Sequence, residues 1–152
     1  MLSYTLTTAS VKETEAAGAA LAEKMLKAPL PPFVALYGDL GVGKTAFVRG
    51  FASVTVPGAA VRSPTFALVN EYKKGGAALF HFDMYRITDE DDLYSIGYDD
   101  YLDRNGICLV EWSENIEGSL PPSYIRVEIV KNDPSTPDSR KIIVEERKTE
   151  VC

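Results

Sequence analysis

The sequence predicts an α/β fold: β-strands with flanking helices, an antiparallel hairpin after the second helix and another hairpin at the C-terminal end. Three observations carry this. Residues 38 to 45 read Gly38-Asp39-Leu40-Gly41-Val42-Gly43-Lys44-Thr45, a complete G-x-x-x-x-G-K-S/T phosphate loop. An apolar run, Phe33-Val34-Ala35-Leu36-Tyr37, precedes it as a buried strand, and residues 45–52 follow as a helix. Two turn signals, Lys73-Lys74-Gly75-Gly76 and Asn132-Asp133-Pro134-Ser135, each separate a pair of β-like runs.

Taken in order, Ser10 followed by Glu13 forms a capping box. It opens a helix to about Lys27, with Ala17, Leu21 and Met25 as its inward stripe. Pro29, Pro31 and Pro32 end that helix and start the strand at Phe33. The helix after the phosphate loop fades near Ser53. A polar loop, Arg62-Ser63-Pro64-Thr65-Phe66, leads to a hairpin of residues 67–72 and 78–82, closed by Asp83. Thr88 caps a helix whose first turn carries Asp89, Glu90, Asp91 and Asp92. Acids there complement the helix dipole; metal binding is the alternative role for this run. Residues 94–102 continue as helix or helical turns. Ile107-Cys108-Leu109-Val110 is a central strand ending in Glu111, and residues 124–130 and 141–146 form the terminal hairpin.

The chain has 152 residues, which fits one domain over residues 1–152. A chain of this size buries about 70% of its unfolded surface and needs no disulfide. Its two cysteines, Cys108 and Cys152, have no metal-ligand spacing, which points to a reducing, cytoplasmic setting. The N-terminus lacks the basic and apolar regions of a secretory signal. No apolar stretch approaches the ~18 residues of a membrane span. The net charge of −6 argues against direct gripping of nucleic acid, whose affinity comes largely from Lys and Arg.

In the phosphate loop, Lys44 reaches the β- and γ-phosphates and the Thr45 hydroxyl ligates Mg²⁺. Ile107–Val110 followed by Glu111 matches a Walker B strand, so Glu111 shares that Mg²⁺ directly or through water. Asp83, at the end of another apolar strand, orients the attacking water, accepts its proton or holds a metal-bound water; the plain reading is an acid capping the loop before Arg86. His81, the only histidine, reads as a packed or hydrogen-bonded residue before it reads as a catalyst. Ser63-Pro64-Thr65-Phe66 occupies the place of a γ-phosphate-sensing switch loop, or is a proline-directed turn. Trp112 is either core or a surface residue beside nucleotide or partner. Arg49, Arg62, Arg86 and Arg140 are candidate phosphate or base contacts. The Asn/Thr-Lys-x-Asp guanine reader is missing, which favours ATP over GTP. A small-molecule kinase is the competing reading; it needs an acceptor pocket and an Arg-bearing lid, and no clear lid is evident.

Together the segments Leu36–Thr45, Ser63–Phe66, His81-Phe82-Asp83-Met84-Tyr85-Arg86 and Ile107-Cys108-Leu109-Val110-Glu111-Trp112 resemble the bacterial TsaE family of tRNA threonylcarbamoyladenosine biosynthesis ATPases. Their order, their intervals and the chain length agree over roughly residues 8 to 130. The resemblance implies a P-loop NTPase-like fold with a mixed β-sheet, and a Mg²⁺-dependent ATPase, weak alone. It implies partners, TsaB and TsaD, that perform the threonylcarbamoyl transfer and are reset by the ATP cycle, with tRNA met only indirectly. Carried over by position, Asp39, Leu40, Gly41, Val42, Gly43, Lys44, Thr45 and Ala46 bind nucleotide, Thr45 and Glu111 bind Mg²⁺, and Asp83 supports hydrolysis. The family also places Trp112 near the nucleotide, and adenine between the start of the first helix at Ser10 and the C-terminal strands at Arg140.

Overall fold

The computed structural model describes residues 1–39, 41–64 and 67–148. Leu40, Thr65, Phe66 and Cys152, singled out above, lie outside the described residues. In chain order the elements are β1 (Ser3–Thr8), α1 (Val11–Lys27), β2 (Phe33–Tyr37), α2 (Lys44–Thr55), β3 (Val69–Lys74), β4 (Ala77–Asp83), α3 (Glu90–Ser95) and α4 (Tyr98–Asp103). There follow β5 (Ile107–Glu111), a 3₁₀ segment (Ser113–Ser119), β6 (Ser123–Asp133) and β7 (Thr136–Lys148).

The strands form one mixed sheet in the order β1-β7-β6-β2-β5-β4-β3. β2 is parallel to β5 and β6, and β4 is parallel to β5. The β3/β4, β6/β7 and β1/β7 pairs are antiparallel. All five residues of β2 are buried, as both faces of a central parallel strand should be. Alternation divides its side chains. Val34 and Leu36 join Leu79, Leu109 and Val127 in a core with α1 and α2. Phe33, Ala35 and Tyr37 join Phe80, Phe82 and Val110 under α3, α4 and the 3₁₀ segment.

α1 and α2 cross backbone to backbone, and glycine makes the crossing possible. A Cβ on Gly18 would stand 2.0 Å from the Phe47 carbonyl oxygen, and one on Gly50 would stand 1.7 Å from that of Glu15. The buried stripe of α1 is Thr14, Ala17, Gly18, Leu21 and Ala22, whereas Met25 is only partly buried.

Several expectations need correction. β1 was not anticipated; it adds to the sheet edge by pairing Ser3 with Glu145 through Thr8 with Arg140. The capping box is offset: Ser10 Oγ accepts from the Glu13 N–H at 3.2 Å, but Glu13 Oε1 accepts from Ala9 rather than from Ser10. α2 runs on to Thr55 because residues 51, 52 and 55 are still buried in the core. β3 starts at Val69 rather than residue 67, because Leu68 takes a left-handed conformation (φ 68°) and its N–H turns back to the Pro64 carbonyl. The cap of α3 is Asp89, not Thr88: Asp89 Oδ1 accepts from the Asp92 N–H, and Thr88 instead donates to Asp92 Oδ2. The helix expected over 94–102 breaks at Ile96-Gly97 into α3 and α4. The terminal hairpin turns where expected but is longer at both ends, since its outer residues pair with each other and with β1.

Candidate nucleotide site

β2 delivers the chain to the phosphate loop at Gly38, where φ is 144° and a Cβ would meet the Ile129 carbonyl oxygen at 2.5 Å. α2 then begins directly after Gly43, whose φ of 108° only glycine holds cheaply. Gly43 offers no capping side chain, so the first-turn N–H groups and the positive helix end face the loop. That is the arrangement by which a helix N-terminus receives phosphate.

Lys44, the first residue of α2, is only 5% exposed. Its ammonium donates to the Gly38 carbonyl and lies 3.8 Å from the centroid of the Trp112 ring. Burial lowers its pKa, and the carboxylates of Glu111, Glu114, Asp83 and Asp39 oppose that shift. Glu114 also accepts from the Gly38 N–H at 3.3 Å.

The acids come from the carboxyl ends of adjacent parallel strands, with Asp83 of β4 in register with Glu111 of β5. Period-two alternation puts residues 79, 81 and 83 of β4 on one face, with 109 and 111 of β5. Leu79 and Leu109 pack in the α1/α2 core, so this is the face from which α2 presents Lys44. Asp83 and Glu111 are 7% and 5% exposed. Asp83 Oδ1 accepts from the Tyr85 N–H at 2.9 Å, the loop-capping contact considered from sequence. His81 is fully buried, and its Nε2 contacts Glu111 Oε2. Trp112 holds a left-handed backbone (φ 59°), unusual for a bulky residue. Its ring packs against Tyr85 at 5.0 Å between centroids, so the tryptophan is half-buried wall rather than core.

These side chains converge. Gly41, Gly43, Lys44, Thr45, Ser63, Asp83, Glu111 and Trp112 line one cleft of about 300 Å³ outside the carboxyl ends of the parallel strands. A smaller cleft of about 80 Å³ lies behind the loop, lined by Ser10, Val42, Gly43, Ala46 and Arg140, together with Thr14 and Asp138. Ser10 and Arg140, far apart in sequence, therefore share a wall. Two of the Arg140 nitrogens, however, are used on backbone: Nε reaches the Val42 carbonyl at 2.9 Å, and Nη1 reaches those of Pro137 and Ser139. Arg140 thus ties β7 to the phosphate loop. Asp39 is exposed and stands apart from both clefts, against Ile129 and Lys131. Arg49 pairs with Glu15 between α1 and α2. A cleft of about 310 Å³ against α3 and α4 is lined by Glu90, Asp91, Tyr94 and Asp99, an acidic wall unsuited to polyphosphate.

The donor set fits Mg²⁺ held with a nucleotide. Thr45 and Glu111 bring a hydroxyl and a carboxylate to the same cleft. Mg²⁺ takes one or two protein oxygens and completes its shell with phosphate and water. Among the described residues no three His, Cys, Asp or Glu side chains gather to hold a metal by themselves. The sequence reading missed Glu114 as the partner of the loop's first amide, and Asp138 in the smaller cleft. Neither belongs to a motif; only the fold brings them there.

The family model described as "Threonylcarbamoyl adenosine biosynthesis protein TsaE" matches residues 8–142. The chain is 41% identical over 114 residues to the tRNA threonylcarbamoyladenosine biosynthesis protein TsaE of Haemophilus influenzae, covering 74% of this chain and 72% of that one. It is 44% identical over 94 residues to the protein of the same name from Bacillus subtilis, covering 62% of this chain and 58% of that one. The crystal structure of Bacillus subtilis YdiB superposes with a TM-score of 0.74 at 31% identity, covering 98% of this chain and 89% of that one. No helix among the described residues is long and apolar enough to cross a membrane.

Proposed function

The chain belongs to the TsaE family of tRNA threonylcarbamoyladenosine biosynthesis, and from that premise we propose that it binds and hydrolyses ATP with Mg²⁺ as an accessory of that modification. The observation that carries the reading is the convergence of Lys44, Thr45, Asp83, Glu111 and Trp112 on one cleft beside a glycine-started helix. In this reading α2 and Lys44 hold the phosphates. The Lys44 ammonium already donates to the Gly38 carbonyl, so an incoming phosphate competes with that carbonyl for it. Thr45 and Glu111 hold the Mg²⁺, which when bound neutralises charge on the phosphates. Asp83, fixed by the Tyr85 N–H, orients water at the open side. The smaller cleft between Ser10 and Arg140 receives the base.

The ATP cycle resets a complex of TsaB and TsaD in the cytoplasm, and the acidic chain meets tRNA only through those partners. ATP hydrolysis by the protein alone and with TsaB and TsaD tests this. Slow basal turnover, raised by the partners and abolished with ATP binding in Lys44→Ala, is expected. Unchanged ATP affinity in a folded Lys44→Ala removes the site assignment. Turnover that ignores both partners removes the accessory role.

A further inference from the structure

The buried contact between His81 and Glu111 is not accounted for by nucleotide binding alone. His81 sits on β4 two residues before Asp83, and Glu111 ends the neighbouring β5. Their side chains share the face that α2 covers, with His81 one step deeper into the sheet. His81 is 0% exposed, its Nε2 meets Glu111 Oε2, and its Nδ1 is buried without a hydrogen-bond partner among the described residues. A carboxylate only accepts, so the contact places the hydrogen on Nε2. Nδ1 meets no polar partner among the described residues and takes no part in holding the ring. The ring therefore has one polar task, which is to donate to Glu111 from below.

This task has a geometric consequence. A carboxylate at a strand end rotates about its terminal torsion with little resistance, because that torsion is broad and roughly two-fold. Tying Oε2 to a ring that packing holds still removes the freedom and leaves Oε1 for the cleft. The same logic governs metal sites, where the partner behind a ligand fixes its orientation and removing it costs about 10–100-fold in affinity.

We infer that His81 is a positioning residue: it fixes the Glu111 carboxylate so that one oxygen faces the Mg²⁺–phosphate position, without itself touching substrate. The inference rests on the proposed nucleotide site. His81→Leu keeps similar bulk and removes the donor, and His81→Gln restores an N–H at similar reach. His81→Asn, too short to reach, replaces the leucine variant if that one does not fold. The readout besides turnover is ATP affinity with and without Mg²⁺, followed by Trp112 fluorescence, with Glu111→Gln as reference.

The expected result is that His81→Leu binds ATP like the parent without Mg²⁺ but loses the Mg²⁺-dependent gain by roughly tenfold or more. Its kcat falls further than its KM rises, and His81→Gln recovers most of both. If the parent and Glu111→Gln behave as the nucleotide site requires while His81→Leu keeps the full Mg²⁺ gain, the positioning role alone is overturned. Equal impairment of the leucine and glutamine variants at equal thermal stability also overturns it. If Glu111→Gln itself leaves Mg²⁺ dependence intact, the site reading fails and takes this inference with it.

Discussion

Replacing Gly50 by alanine adds one methyl group at the crossing of α1 and α2, where its Cβ would stand 1.7 Å from the Glu15 carbonyl oxygen and 2.5 Å from its carbon. Restoring a C···O approach of about 3.3 Å requires the two backbones to part by roughly 1.6 Å. The obstacle is main chain, so no side-chain rotation relieves it. Overpacking of this kind costs typically ~1–3 kcal/mol, and the upper end applies to a rigid neighbour. Alanine returns about 1 kcal/mol of helix propensity. The net loss is then about 2 kcal/mol, or a fall of roughly 4–8 °C in Tm for a chain of this size. Because α2 begins at Lys44, its displacement also moves the ammonium and the loop amides, so ATP affinity drops with stability. Thermal denaturation and nucleotide titration measure both. Gly118→Ala is the control, since nothing lies within 4 Å of its Cβ position. A Gly50→Ala protein that melts at or above the parent temperature refutes the argument, because propensity then outweighs the crossing.

Arg140→Ala frees the Val42 carbonyl from β7 and should weaken ATP binding several-fold while Lys44 and Thr45 are unchanged; Arg140→Lys should not restore it, because one ammonium cannot reach three carbonyls in a fork. Equal affinities in a titration contradict this. The Arg104 guanidinium grips Glu71 through two contacts of 2.9 and 3.0 Å, and hydrogen bonding to it holds the Glu71 pKa down at about 2 against an ordinary 4.5. A depressed carboxyl pKa contributes stability above the unfolded value and loses it as pH falls toward the folded one. Glu71→Gln should therefore be less stable than the parent at neutral pH, by less than ~1 kcal/mol for so exposed a pair, and the gap should close between pH 4.5 and 2 in urea melts. Burial raises the Cys108 thiol to about 12, so Cys108 should resist alkylation at neutral pH in the native protein and react fully once it is unfolded, as peptide mass spectrometry can show.

Much of this molecule was legible because its signals are local. Phe33–Tyr37 is a continuous apolar run between prolines and a glycine, and it forms β2 at those bounds. The phosphate loop, the Gly75-Gly76 turn and the Val110-Glu111 strand end are likewise written within a few residues. β1 escaped because Ser3–Thr8 is short, and its alternation is only half-buried. What makes it a strand is β7, more than a hundred residues away, which no local pattern announces. The cap of α3 shifted by one residue because Thr88 and Asp89 both bear capping side chains, and only backbone geometry chooses between them. His81 was expected to be packed or hydrogen-bonded and is both, but its partner followed from strand order. Arg140 was one of four candidate arginines, singled out by resemblance; it lines the smaller cleft with Nε and Nη1 already on main-chain carbonyls.

The pairing of β1 with β7 also sets a timetable. During synthesis β1 emerges with nothing to pair with, and its ladder closes only after Thr136–Lys148 has been made. At about 5–20 residues per second the wait is on the order of ten seconds. Through that interval an uncharged Ser-Tyr-Thr-Leu-Thr-Thr strand stands beside a helix that has no finished sheet to cover. Closing the ladder then joins early and late parts of the chain. The nascent protein therefore holds its phosphate-loop sequence long before it has the sheet that shapes the site.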